Sequence, residues 1–361
     1  MTQRSAIQYF LGANAPTGFY SLYSELLPPE EARRVYLLKG GPGCGKSTLM
    51  RRVGAQLEAA GLDTEYILCS GDPHSLDGLL LPELGVCLAD ATAPHVLEPK
   101  YPGAVECYLN LGDCYDYEAL YTIRQDIMDS MRGYKACYAR AYRCLEASAE
   151  LSEDVRATLL TPELPQWLAR RAKGILHREL KVRCPGRTGR IKQRFLSAVT
   201  HRGYLCLYDT ALAQCPKIYE LQDTCGLAHE LLLPLLTGAV ERGYDVVACP
   251  DPMAPDRLAH LLLPDAGLCF LSSTPSAVFP DRPTRRIRLD TAVDDQLLRE
   301  NRPRLRFAKK VSAALLDEAV VSLGQAKSKH DTLEGLYNPH VDFDRVHTLA
   351  QQVIEEIRSI L

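Results

Sequence analysis

The feature that most constrains this chain is a glycine-rich stretch between two apolar runs. It lies directly after Val35-Tyr36-Leu37-Leu38, which is typical of a buried strand, and directly before the helix-like run from Leu49 to Ala60. The stretch reads Gly40-Gly41-Pro42-Gly43-Cys44-Gly45-Lys46-Ser47-Thr48 and fits the pattern G-x-x-x-x-G-K-[ST] in full. With these flanks it predicts a strand–loop–helix unit that binds phosphate. The alternative is a glycine-rich turn that matches the pattern by chance.

The residue types of this stretch suit a nucleoside triphosphate. Glycines let the backbone turn its N–H groups towards phosphate oxygens, and the positive end of the following helix points at the same oxygens. In this pattern Lys46 reaches the β- and γ-phosphates, and the Ser47 hydroxyl binds Mg²⁺. We therefore expect residues 40–48 to bind ATP, with Mg²⁺ as the second cofactor.

The chain also contains an internal repeat. Two segments return 185 positions later with similar residues. The first is Phe10-Leu11-Gly12-Ala13, which returns as Phe195-Leu196-Ser197-Ala198. The second is Gly18-Phe19-Tyr20-Ser21-Leu22-Tyr23, which returns as Gly203-Tyr204-Leu205-Cys206-Leu207-Tyr208. Further matches follow in the same order, with small changes in spacing. We interpret the repeat as the duplication of a whole domain.

Each copy has the pattern of an α/β domain. Apolar strands alternate with helical runs, which indicates βαβ units and a mainly parallel sheet. A long helical stretch follows each core, from about Tyr117 to Lys181 and from about Val293 to Leu361. A basic segment broken by Pro and Gly, Lys181 to Arg190, marks the boundary. We predict tandem P-loop NTPase-like domains over residues 1–185 and 186–361, each ending in helices.

A carboxylate at the end of a neighbouring strand completes many sites of this kind by holding Mg²⁺. Asp90 follows the apolar run Val86-Cys87-Leu88-Ala89 and has this form. We therefore expect Asp90 to act with Ser47 on the metal and with Lys46 in catalysis. An ordinary Asp at the end of a strand is the alternative.

The second copy lacks this whole set of residues. The aligned pairs are Lys46 with His229, Ser47 with Glu230, and Asp90 with Ser272. A carboxylate at the position of Glu230 would repel phosphate. The joint loss suggests that the three residues of the first copy belong together, and that the second copy is a degenerate P-loop.

Three acidic residues follow the second strand of the first copy, near the sheet edge where ligands of α/β domains bind. They are Asp72, Asp77 and Glu83. Asp77 is the candidate catalytic residue, because it aligns with Ala259, whereas Asp72 has a counterpart in Asp251. Turn formation by Asp-Pro and Asp-Gly is the alternative for these residues.

Other polar residues could act at the phosphates. His95 follows Asp90 closely and could sense the γ-phosphate or simply satisfy a loop. The segment from Arg170 to Arg194 carries ten Arg and Lys residues, which suit a solvated helix end, a mobile lid or a nucleic-acid patch. Arg285, Arg286 and Arg288 are candidates for an arginine finger.

Composition narrows the class of protein. The net charge is −3, so no global basic field attracts nucleic acid, and we expect none as a partner. The thirteen cysteines form no C-x-x-C pair, and Met1 is not followed by an apolar signal core. No apolar run reaches the length needed to cross a bilayer. We expect a cytoplasmic protein without membrane contact, which binds a nucleoside triphosphate and associates with itself or another protein.

Several motifs together resemble a family of bacterial, Firmicutes-type tandem P-loop ATP-binding proteins, labelled ATPase or nucleotide kinase. The motifs are Lys39 to Thr48, Cys69-Ser70-Gly71-Asp72-Pro73, Leu76-Asp77-Gly78, Thr92-Ala93-Pro94-His95 and Pro99-Lys100-Tyr101-Pro102-Gly103-Ala104. The resemblance covers essentially the full chain. It implies two P-loop NTPase domains, a cytoplasmic location and ATP as the ligand. In that family the second copy often also has a P-loop, from which His229 and Glu230 depart.

Three functional hypotheses remain open. The first is an Mg²⁺-dependent ATPase or ATP-driven switch, a P-loop nucleoside triphosphatase with one active site. The second is a kinase that phosphorylates a nucleotide or another small molecule. The third is a regulatory ATP-binding module with little turnover. A kinase would release ADP only with an acceptor, a switch would hydrolyse ATP slowly, and a pure binder would do neither.

Overall fold

The computed structural model describes residues 7–28, 30–95, 97–183 and 186–361. Two of the sequence predictions concern positions outside these ranges. The N-terminal residues, which were searched for a signal core, lie outside the described residues. So does residue 185, at which the sequence divides the two copies.

The first half of the chain begins with short strands, continues through the glycine-rich loop and ends in long helices. Its elements are β1 (Ile7–Phe10), β2 (Gly12–Ala15), β3 (Gly18–Ser21), β4 (Arg34–Lys39), α1 (Lys46–Glu58), β5 (Glu65–Leu68), β6 (Leu76–Leu81), β7 (Val86–Asp90), β8 (Glu106–Asn110), α2 (Tyr117–Thr122), α3 (Arg124–Leu159) and α4 (Glu163–Glu179).

The second half repeats this order closely, with one extra short helix before its central strand. Its elements are β9 (Ile191–Gln193), β10 (Ser197–Thr200), β11 (Gly203–Cys206), α5 (Tyr208–Gln214), β12 (Lys217–Gln222), α6 (Ala228–Glu241), β13 (Val246–Asp251), β14 (Ala254–Leu263), β15 (Leu268–Ser273), β16 (Arg285–Arg288), α7 (Asp295–Glu300), α8 (Arg302–Tyr337) and α9 (Phe343–Arg358). Helices α3 and α8 each have 36 residues.

Two six-stranded sheets have the same strand order and the same strand directions. The orders are β1-β5-β6-β7-β4-β8 and β9-β13-β14-β15-β12-β16. In each sheet the third strand runs antiparallel to both neighbours, and the other pairings are parallel. The α/β class with mainly parallel sheets and long helices is confirmed. The antiparallel strands β6 and β14 were not predicted.

The chain forms two compact units, each built around one sheet. The first unit contains β1, Ser21–Ala141 and Val321–Leu361, and the second contains Asn14–Tyr20 and Tyr142–Val320. The division therefore falls inside α3 and inside α8. Each unit combines one sheet with helical segments from the other half of the sequence, which no local pattern indicates.

In the first unit, the last helix of the chain packs against the helix that follows the glycine-rich loop. Helix α9 lies against α1 and buries one apolar face that includes Val346, Val353 and Ile354. The Tyr36 hydroxyl donates a hydrogen bond of 2.8 Å to Glu356. The helical stretch predicted to run to about Leu361 ends at Arg358, and Leu361 lies beyond the helix end and is 64% exposed.

In the second unit, α4 takes the corresponding place beside α6. The apolar core of this unit joins Leu168 of α4 to Leu231 and Leu235 of α6 and to Phe270 of β15. This packing leaves the carboxyl ends of the parallel strands and the loop before α6 at one edge of the sheet.

Candidate functional site

The glycine-rich loop joins β4 to α1 in the first unit. Strand β4 lies between β7 and β8, and Leu38 at its end is fully buried. Gly43 and Gly45 have positive φ angles of 71° and 88°, which side chains other than glycine rarely adopt. Gly45 caps α1 without a side-chain hydrogen bond. The first N–H groups of the helix therefore have no side-chain cap from Gly45, and such N–H groups can bind an anion.

Lys46 and Asp90 meet at this loop. The Lys46 ammonium group donates hydrogen bonds to the carbonyls of Gly40, at 2.7 Å, and Gly41, at 3.0 Å. The same nitrogen lies 3.4 Å from an Asp90 carboxylate oxygen. Asp90 ends β7 and pairs in register with Leu38 of β4, which brings its side chain to the loop. The structure thus brings together two residues that the sequence pattern places in one group.

The other predicted residues of the loop differ in their contacts and in their burial. The Ser47 hydroxyl accepts a hydrogen bond of 2.9 Å from the Leu76 N–H. Cys44 is buried, Thr48 is exposed and Pro42 is half-buried. Ser47 and Asp90 are the residues of this loop region that could bind a divalent cation, since hydroxyl and carboxylate oxygens are hard ligands.

Asp90 itself is held by its own turn. One of its carboxylate oxygens accepts the Thr92 N–H at 2.8 Å and also the Thr92 hydroxyl. The other carboxylate oxygen is the one that faces Lys46. This turn fixes the carboxylate towards the loop.

Asp77 and His95, which the sequence treats as separate candidates, lie together in the same unit. The His95 Nε2 atom is 3.3 Å from an Asp77 carboxylate oxygen, and both side chains are buried. Burial raises the pKa of the Asp77 carboxyl above its ordinary value, although His95 opposes this change. Asp90 contributes to raising the pKa, which places Asp77 within its electrostatic reach. A buried carboxyl with a raised pKa is suited to proton transfer.

The buried Tyr23 and the half-buried Cys69 belong to the same group. The rings of Tyr23 and His95 lie 4.7 Å apart. Burial and the charge of Asp77 raise the pKa of Tyr23 and of Cys69. Sequence reasoning did not find Tyr23, because nothing local distinguishes it from other tyrosines.

Asp72 behaves as a turn residue with one long-range partner. Its carboxylate accepts the His74 N–H at 3.0 Å and lies 3.2 Å from the ammonium group of Lys327. Lys327 stands in α8, to which the sequence assigns no chemistry. Glu83 lies exposed in a 3₁₀ turn.

The end of α8 and the start of α9 cover the glycine-rich loop. A Cβ atom on Gly43 would come within 2.5 Å of the Asn338 side chain, and one on Gly41 would lie 3.7 Å from the Tyr337 ring. A Cβ on Gly45 would lie 3.6 Å from the Phe343 ring. This covering segment was missed because it lies almost 300 residues from the loop in the sequence.

The corresponding loop of the second unit closes on a carboxylate of the chain. Asp223, which is 4% exposed, accepts the N–H groups of Cys225, at 3.0 Å, and Ala228, at 2.7 Å. Burial raises the pKa of Asp223, whereas its backbone hydrogen bonds lower it. The N–H groups that would bind phosphate in an intact loop are therefore partly occupied by Asp223.

The residues that replace Lys46 and Ser47 make structural contacts. The His229 Nδ1 atom accepts the Leu258 N–H at 3.1 Å, and burial lowers the pKa of this histidine. Glu230 lies 3.6 Å from Arg156 of α3. Neither side chain offers a positive charge to the loop.

A cavity of about 650 Å³ lies beside this second loop. Glu153 pairs there with Arg156 and Arg257 at 2.6 Å each, and these pairs, the bond from Arg156 first, lower the pKa of Glu153 to about 2. The cavity also contains His260, whose Nδ1 atom accepts the Ser272 N–H at 3.1 Å. The proton of its neutral ring is therefore on Nε2, so His260 cannot act as a base towards Ser197 at 3.0 Å.

The sequence and the structure were compared with known proteins. No protein-family model matches the sequence, and no curated protein or solved structure matches it either. Among the residues that the structure describes, no helix combines the length and apolar character needed to cross a membrane.

Proposed function

We propose that the chain is a P-loop nucleoside triphosphate-binding protein with one working site, in the first unit. The observation that carries the proposal is the position of Lys46, whose ammonium group lies in the loop and 3.4 Å from Asp90. A lysine in the loop and a carboxylate at the end of the adjacent strand are the pair that P-loop chemistry requires. The best-supported activity is Mg²⁺-dependent ATP hydrolysis, either as an ATPase or as an ATP-driven switch.

The residues at the loop suit the phosphates and the metal. Backbone N–H groups around Gly43 and Gly45 and the Lys46 ammonium group would hold phosphate oxygens. Ser47 and Asp90 would hold Mg²⁺, which neutralises phosphate charge when bound. Asp77 is the proposed proton acceptor, because it is a buried carboxyl close to Asp90 with a raised pKa.

The environment of the second loop supports a single site. Asp223 accepts hydrogen bonds from two N–H groups of the loop. His229 and Glu230 stand in place of the lysine and the hydroxyl. A triphosphate would meet two carboxylates there and no lysine. We therefore propose that the second copy supports or regulates the first and does not bind Mg²⁺-ATP.

The covering segment supports a second candidate, a regulatory ATP-binding module with little turnover. Tyr337 and Asn338 pack directly on the loop glycines, so a ligand that rearranges the loop would also displace α8 and α9. In such a module the position of these helices would signal whether ATP is bound, and hydrolysis would be slow. Tight binding with negligible ADP release would favour this candidate.

The test compares Lys46→Ala with its matched control His229→Ala in the full chain. ATP affinity is measured by calorimetry with Mg²⁺, and ADP release is followed with and without small hydroxyl-bearing acceptors. Loss of the ammonium group should weaken ATP binding roughly 10- to 100-fold, since a charge-assisted hydrogen bond contributes about 1.5–3 kcal/mol. His229→Ala should bind normally. Equal loss in both variants would overturn the single-site proposal.

A further inference from the structure

A second cavity, of about 560 Å³, lies in the second unit between α4 and β16. Half of its lining consists of arginines. The four arginines are Arg171, Arg178, Arg285 and Arg286. These arginines come from two segments more than 100 residues apart, the basic segment from Arg170 to Arg194 and the group of arginine-finger candidates at Arg285.

One side of the cavity is a single face of α4. Trp167, Arg171, Gly174 and Arg178 are spaced by four, three and four residues, so they lie along one side of the helix. Gly174 leaves this face open, because a Cβ added there would meet no atom within 4 Å. Trp167 is 40% exposed, and the Arg171 guanidinium lies 5.3 Å from its ring centre.

The other side is the edge strand of the second sheet. In β16, Arg285 and Arg286 stand opposite Tyr219 and Glu220 of β12. Both arginines are exposed. Arg285 shares its face of the sheet with Tyr219, whose hydroxyl accepts a hydrogen bond from Arg178 of α4, whereas Arg286 lies on the opposite face beside Glu220.

Carboxylates neutralise only part of this charge. Arg178 lies 2.9 Å from Glu179, and Arg286 lies 2.6 Å from the buried Glu220. Among the described residues, Arg171 and Arg285 take part in no ion pair. The cavity therefore carries an excess of positive charge, although the chain as a whole has a net charge of −3.

Two ordinary explanations account for only part of this arrangement. Charged residues on an edge strand prevent sheets from pairing edge to edge. However, the corresponding edge strand of the first sheet, β8, contains no arginine. Solvation of a basic helix explains exposed arginines on α4, but it does not explain why two of them share a cavity with β16.

We propose that this cavity binds the phosphate groups of a nucleotide or of a single-stranded oligonucleotide. Guanidinium groups match phosphate oxygens in both charge and geometry. Trp167, at the end of the arginine row, offers a ring on which a base can stack. The sequence predicts no nucleic-acid partner because the net charge is negative, whereas the fold gathers the arginines locally. The site is separate from the proposed ATP site.

Trp167 is the only tryptophan of the chain and lies against Arg171, which lines the cavity, so its fluorescence is a specific probe of binding there. The full chain is titrated with pyrophosphate, with AMP and with an oligothymidylate of twelve nucleotides at constant ionic strength, and Trp167 fluorescence is recorded. We expect saturable quenching. Binding of pyrophosphate or AMP without the oligonucleotide would identify a small ligand, and tighter oligonucleotide binding with a steep salt dependence would identify a nucleic acid.

The variants separate this cavity from the rest of the basic surface. Arg171→Gln and Arg285→Gln should each weaken binding about tenfold or more, and Arg171→Lys should restore part of it because the charge remains. Arg170→Gln is the matched control, since Arg170 is exposed on α4 but does not line the cavity. The proposal fails if no probe changes the fluorescence, or if Arg170→Gln weakens binding as much as Arg171→Gln. None of these residues touches the loop of the first unit, so such a failure leaves the Lys46 test unaffected.

Discussion

The Asp223 carboxylate accepts a hydrogen bond of 2.7 Å from the Ala228 N–H, across the loop that aligns with the glycine-rich loop of the first unit. Asp223 stands where the first copy has Gly40. Two loops with a common pattern have therefore diverged in opposite ways. In the first loop the Lys46 ammonium group donates to the loop carbonyls and faces Asp90, whereas the second loop is closed by the carboxylate of Asp223.

We expect Asp223→Ala to destabilise the second unit. The substitution leaves the N–H groups of Cys225 and Ala228 buried without their acceptor, which costs about 1–3 kcal/mol. Urea unfolding measures this loss of the free energy of unfolding. Glu241→Ala, at the exposed end of α6, is the control and should change stability by less than about 0.5 kcal/mol. Unchanged stability of Asp223→Ala would show that solvent already satisfies these N–H groups.

The two loop glycines with φ near +70° form a matched pair for substitution. Gly43 and Gly226 have φ angles of 71° and 72°, so alanine should strain either loop by about 1–2 kcal/mol. At Gly43 the new Cβ would also approach Asn338, whereas at Gly226 its nearest neighbour would be Arg156 at 3.7 Å. Gly43→Ala should therefore lower stability more and abolish ATP binding. If Gly226→Ala lowered ATP affinity equally, the assignment of the site to the first loop would be wrong.

Asp77→Asn should change the pH dependence of stability. Burial raises the pKa of Asp77 above its ordinary value of 3.8, so the folded chain binds this proton more tightly than the unfolded chain. The stabilisation is fully present below the unfolded pKa and is lost as pH rises through the folded pKa. The stability of Asp77→Asn relative to the parent should therefore increase as the pH rises above the ordinary carboxyl value of 3.8.

Chemical denaturation at several pH values measures this difference. Glu83→Gln, which changes an exposed carboxylate of the same unit, is the control. The same samples report ATP turnover, which should fall in Asp77→Asn if this carboxyl accepts a proton. A parallel pH profile for parent and variant would exclude a raised pKa at Asp77.

Ile354→Ala tests the support that the last helix gives to the first unit. Ile354 is fully buried where α9 packs on α1, so truncation should cost about 2–5 kcal/mol. Gln352→Ala, on the exposed side of the same helix, should change stability by less than about 0.5 kcal/mol. Differential scanning calorimetry should show the loss in the transition of the first unit. Equal effects of the two variants would mean that α9 contributes little to that unit.

Local patterns predicted much of the architecture. The apolar run before Gly40 and the helical run after Thr48 predicted β4 and α1, and the repeat predicted similar elements in the second half. The position of Asp90 followed from the same reasoning, because parallel neighbouring strands end at a common edge. Strand β6 was not predicted, since Leu76–Leu81 is uniformly buried and has no alternation that marks a strand.

The sequence by itself determined the α/β class, the glycine-rich loop and the loss of its polar residues in the second copy. These depend on motifs and periodicities that span a few residues. Only the tertiary structure decided that Asn338 covers the loop at Gly43, that Asp223 closes the other loop and that Arg171 and Arg285 share a cavity. Such contacts depend on which apolar faces bury each other across hundreds of residues, and no local pattern records that choice.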